Sequence, residues 1–160
     1  MTRRLILCSF ALLLPTLLFA KAIGLDLKTA LRDADLIARI KVVSTKPTPV
    51  GSRYKQLAQA TITEGIKGRK GGDTIQLFSD NGLACPNVLY DVNDDCIIFA
   101  RQTPEGYFET MHTYTGRFRV RDGIVEGCYL LSDIAPELAK KAKPEAIVST
   151  LRRLINTPNK

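Results

Sequence analysis

A chain of 160 residues, 45% apolar and 24% charged, has room for one domain with a sizeable core, and this balance excludes collagen-like and disordered classes. The formal net charge of +7 owes much to Arg3, Arg4 and Lys21; without them 23 basic residues become 20 against 16 acidic ones, leaving +4. So thin a surplus falls short of a dedicated nucleic-acid surface and suits a mildly basic exterior or an anionic partner.

The chain opens with Arg3-Arg4, an apolar run from Leu5 to Phe19, and then Ala20-Lys21-Ala22, the charged, apolar and small-residue order of a secretory signal. The run is shorter than the roughly 20 residues a membrane span needs, so residues 1–22 are expected to be a signal peptide cleaved after Ala22, with Ala20 as the next candidate. No later stretch is long and apolar enough to cross a bilayer, which predicts a periplasmic or secreted protein. In an oxidising compartment the remaining cysteines, Cys85, Cys96 and Cys128, are expected to supply one pair. Cys85–Cys96 would staple the loop before a strand, and Cys85–Cys128 is the alternative. With no C-x-x-C and His112 as the sole histidine, no metal site is expected, and no cofactor motif is present.

Asp26 is placed to cap a short helix carrying Leu27 and Leu31, four residues apart. From Ala34 to Ser44, Leu36, Ala38, Ile40 and Val42 alternate with Ile37, Arg39, Lys41 and Val43, which predicts a half-buried strand. Pro47, Pro49 and Gly51 mark a loop, and β character resumes from Tyr54 to Ile66. Lys67 to Gly72 turns the chain back into a partner strand from Asp73 to Phe78. This glycine-rich basic turn lacks the order of a phosphate loop and reads as a hairpin.

The clearest buried strand is Cys96 to Ala100, short, apolar and rich in β-formers, preceded by Asp94-Asp95 and followed by Arg101-Gln102. A loop at Thr103 to Gly106 leads to a strand predicted over Tyr107 to Thr113. Asp122-Gly123 is a two-residue hairpin turn that sets Val120 opposite Val125, Arg121 opposite Ile124 and Arg119 opposite Glu126. Beyond Ser132-Asp133, the apolar stripe through Ile147, Leu151 and Leu154 predicts helices packed on the β body.

The stretch Ala30-Leu-Arg-Asp-Ala-Asp-Leu-Ile-Ala-Arg-Ile-Lys-Val-Val43, followed by Glu64-Gly-Ile-Lys-Gly68, Ala84-Cys85-Pro86 and Tyr90-Asp-Val92, resembles the netrin-like module of tissue inhibitors of metalloproteinases. The resemblance covers roughly residues 29 to 108 and implies a five-stranded Greek-key barrel of the OB type with flanking helices. In that family a mature N-terminal cysteine clasps the protease zinc. Here the expected mature chain begins at Ile23, and Arg32 stands where the family has its next helix cysteine, so protease inhibition is not implied.

Among the remaining constellations, Asp91-x-Asn93-x-Asp95 starts like a calcium loop, yet Cys96 replaces the turn glycine and Gln102 the bidentate glutamate, so a polar turn is expected. Glu109 and His112, three apart on a predicted strand, would face opposite sides and make a poor acid–base pair. Arg117, Arg119 and Arg121 share one face of the hairpin and form the candidate binding surface. Tyr107, Phe108, Tyr114 and Phe118 offer either a stacking platform or core.

The expected fold is therefore mainly β: a five-stranded OB-like barrel over residues 23–131 with an added hairpin, and a helical segment over 132–160. The expected function is an exported non-enzymatic module that binds a protein or an anionic cell-envelope component, without specific nucleic acid. A small secreted hydrolase or protease inhibitor on the same barrel is the alternative.

Overall fold

The computed structural model describes residues 25–83 and 87–157. Helix α1, Leu27–Asp33, starts where Asp26 accepts a hydrogen bond from the Thr29 amide at 2.9 Å and ends as Ala34 turns extended. Strand β1, Leu36–Pro47, follows at once, and three register irregularities bend it so that it pairs on both edges. One edge meets β2, Gln56–Lys67, and β2 returns through the basic turn to β3, Thr74–Ser79. The other edge of β1 meets β4, Asp95–Gln102, which pairs with β5, Phe108–Thr110.

The sheet closes because β5 runs parallel to β3 at the pair Leu77 and Phe108, so the order is β1-β2-β3-β5-β4 and back to β1. This is a closed five-stranded barrel of OB type. Its interior is filled by Leu36, Ala38, Ile40, Ile62, Leu77, Ile98 and their neighbours, with Tyr90 covering one end. The Tyr90 hydroxyl is satisfied by Thr110 Oγ1 at 2.6 Å.

Outside the barrel, β6, Arg117–Arg121, lies on the free edge of β4 and turns through Asp122-Gly123 into β7, Ile124–Glu126. Both turn residues have positive φ, 50° and 71°, as that tight turn demands. A second core fills the space between this hairpin, α1 and the C-terminal helix. Ile37, Ile97, Phe99, Phe118, Val125, Ile147 and Leu151 meet there. The run Cys96–Ala100 is buried on both faces because its even residues point into the barrel and Ile97 and Phe99 point into the second core.

The C-terminal segment is less uniform than its sequence suggests. Between α2, Pro136–Lys140, and α3, Pro144–Asn156, the chain extends as β8, Lys141–Ala142, and adds a strand to β7. Pro144 holds Lys143 in extended backbone and opens α3 at its first position. The strand predicted to run to Thr113 instead stops at Thr110: His112 takes a positive φ of 47° and a 3₁₀ turn follows over Thr113–Gly116. Glu109 and His112 therefore do not lie on one strand.

Candidate functional site

The three hairpin arginines alternate with Phe118 and Val120 along β6, so they do share a face, as expected. What that face meets is the segment 87–94. The Arg117 guanidinium donates to the Leu89 carbonyl and stacks 5.0 Å from the Tyr90 ring centroid, leaving 11% of its side chain exposed. Arg119 donates to the same carbonyl at 3.2 Å and to Asp94 Oδ2 at 3.1 Å. Its expected partner Glu126 pairs with Lys141 at 3.2 Å instead, because β8 occupies the far side of β7. Arg121 is exposed and makes no ion pair among the described residues. A groove of about 360 Å³ opens beside the arginines, with Ile124 and Tyr129 on its walls.

Asp91, Asn93 and Asp95 do not converge. Asp91 and Asp94 turn toward Arg119, whereas Asp95 is gripped by Arg39 of β1. Of the proposed cysteine pair, Cys85 lies outside the described residues. Cys96 and Cys128 are both buried free thiols, one in the barrel core and one in the second core, and among the described residues there is no disulfide. Of the four aromatics singled out, Phe108 and Phe118 are core residues and the Tyr114 side chain lies outside the description.

An aromatic platform nevertheless exists, on a different part of the barrel. Loop 48–55 is held closed by the Thr48 amide donating to the Lys55 carbonyl at 3.0 Å, and loop 103–107 by the Thr103 amide donating to the Tyr107 carbonyl at 2.8 Å. Between these two fixed loops lies a groove of about 530 Å³. Tyr54 stacks on Phe78 with centroids 4.6 Å apart and planes 13° from parallel, and Tyr107 meets Phe78 edge-on at 5.2 Å. All three rings are half-buried.

A polar cluster completes this groove. The Tyr54 hydroxyl and Arg53 Nη2 both donate to Glu109 Oε1, and the Arg53 guanidinium lies 4.8 Å from the centre of the Tyr54 ring. Burial, then the hydrogen bond to Glu109, pushes the Tyr54 phenol above its ordinary range, so it remains a donor at neutral pH. Glu109 lines the groove, and its Oε2 makes no hydrogen bond among the described residues. The signal for this site was present in β3, where Ile75, Leu77 and Ser79 point inward and strict alternation puts Phe78 on the outer face beside Gln76. Tyr54 reaches Phe78 through the pairing of β2 with β3, and closure of the barrel at β5 brings Tyr107 and Glu109 to them.

The fold is an OB-type barrel with a groove on its outer wall between loops 48–55 and 103–107. No family model matches the chain, nor does any curated protein or solved structure.

Proposed function

We propose that the protein is an exported, non-enzymatic binding module of netrin-like type that engages a cell-envelope component or a protein, with the groove between loops 48–55 and 103–107 as its main contact. The stacked Tyr54 and Phe78 with Tyr107 at their edge carry this reading, because three rings held on the outer wall of a barrel are better explained by a ligand than by the core. The netrin-like part of this reading rests on the sequence resemblance over residues 29 to 108. Export is the reading of residues 1–22. Arg121 offers a second contact, a cation for an anionic group, while Arg117 and Arg119 hold the molecule together.

The test is retention of envelope components on immobilised protein spanning residues 23–160. Retention is expected with the wild type and with Arg117 and Arg119 intact, is reduced by Arg121→Glu, and is lost in Tyr107→Ala. Undiminished retention by Tyr107→Ala would remove the groove from the account.

A further inference from the structure

Resting on that reading, we infer that the groove between loops 48–55 and 103–107 binds a saccharide chain built of uncharged or amine-bearing sugars. Tyr54, Phe78 and Tyr107 present ring surface that an occupant must cover with apolar faces. Glu109 offers an oxygen with no partner among the described residues, and Glu105 stands at the rim with no ion pair among them. A carboxylate taken out of water needs a hydrogen-bond donor in return. The occupant must therefore be flat and apolar on one side and rich in donors at its edge.

Three ligand chemistries meet the first demand, and the second separates them. A nucleic-acid strand would stack its bases, but its phosphates bring no donors and face two carboxylates, Glu105 and Glu109, against a single cation, Arg53, already held by Glu109 and Tyr54. A proline-rich peptide would cover the rings, but proline has no N–H to give. A sugar ring has a face of C–H groups for the aromatics and hydroxyls around its rim for Glu109, Tyr54 and Arg53, and an amine on it would complement the carboxylates. The groove, about 530 Å³, is of the size that small-ligand sites occupy. It also opens between the loops that barrels of this strand order use for extended ligands.

Loop rigidity favours the same conclusion. Arg53 and Tyr54 are fixed by loop contacts, including Thr48 Oγ1 donating to the Tyr54 carbonyl and the Lys55 amide donating to the Asp80 carbonyl at 2.6 Å. Little ordering is left for a ligand to impose.

The test uses protein spanning residues 23–160 with four probes: an N-acetylglucosamine tetramer, a glucosamine tetramer, oligothymidylate and oligoproline. The chain has five tyrosines and no tryptophan, so its emission is tyrosine emission, to which Tyr54 and Tyr107 contribute; calorimetry gives an independent measure. Saturable binding of one or both sugars is expected, weakened about tenfold or more in Tyr107→Ala and in Glu109→Gln. Glu109→Gln keeps size and polarity, so a loss there with unchanged circular dichroism cannot be ascribed to misfolding. Binding of oligothymidylate or oligoproline in place of sugar overturns the proposal, as does sugar binding indifferent to both substitutions. If no sugar binds while envelope retention still depends on Tyr107, the ligand class is wrong and the binding module stands. If retention is lost as well, both fail.

Discussion

Arg39 of β1 grips Asp95 of β4 with both prongs of its guanidinium, Nε to Oδ1 at 3.0 Å and Nη2 to Oδ2 at 2.8 Å. Its remaining nitrogen reaches Glu145 of α3 at 2.9 Å and Glu64 of β2 at 3.3 Å. One side chain thus ties the closing seam of the barrel to its neighbouring strand and to the C-terminal helix.

Because that fork is planar and the ion pair with Asp95 is partly shielded, it should contribute more than an exposed pair. Arg39→Met is expected to cost about 1.5–3 kcal/mol in urea unfolding, and Arg39→Lys should recover little, since an ammonium cannot bind both carboxylate oxygens in the same way. A loss below about 0.5 kcal/mol, the level of an exposed pair, would show the network to be ornamental.

Gly68 has φ +85°, and a Cβ placed there would strike the Asp35 carbonyl oxygen. Asp35 cannot retreat freely, because its amide donates to the Ala100 carbonyl at 3.0 Å and its carboxylate accepts from the Gln102 amide at 2.8 Å. Gly68→Ala is therefore expected to cost about 1–3 kcal/mol. Gly72, at φ +91° with nothing within 4 Å of a Cβ, isolates the backbone preference, and its alanine variant should lose about 1 kcal/mol. Equal losses at the two sites would rule out the contact with Asp35.

The hairpin arginines differ by what they touch. Arg117→Met removes a donor from the Leu89 carbonyl and the cation over Tyr90, so amide exchange across residues 87–94 should quicken and stability should fall by about 1–3 kcal/mol. Arg121→Met, at an exposed position, should stay within about 0.5 kcal/mol of the parent. If the two variants behave alike, the strap role of Arg117 is refuted.

Burial pushes the thiols of Cys96 and Cys128 up to about 12 from an ordinary 9.0. Unfolded thiols ionise near 9.0 while the folded ones keep their protons, so above that pH the folded state binds more protons than the unfolded one. Stability should be insensitive to these groups below pH 9.0 and decline as pH climbs toward about 12. Protein spanning residues 23–160 with Cys85→Ser should resist a thiol reagent when native and react at both cysteines in denaturant; replacing both by alanine should flatten the alkaline decline. Prompt labelling of the native protein would contradict the burial.

Local pattern determined much of this molecule. The alternation from Leu36 to Val42, the Asp26 cap and the Asp122-Gly123 turn each act over a few residues, where backbone sterics and one buried face decide the outcome. The run Cys96–Ala100 even announced burial on both sides. Its reason, a barrel on one face and a second core on the other, became visible only when β6 and α3 were in place. The fate of polar side chains was decided by tertiary structure, because a surface arginine and an arginine pinned to Leu89 look identical along the chain. The groove is the sharpest case: pairing of β2 with β3 stacks Tyr54 on Phe78, and only barrel closure, with β5 parallel to β3 at Leu77 and Phe108, brings Tyr107 to their edge.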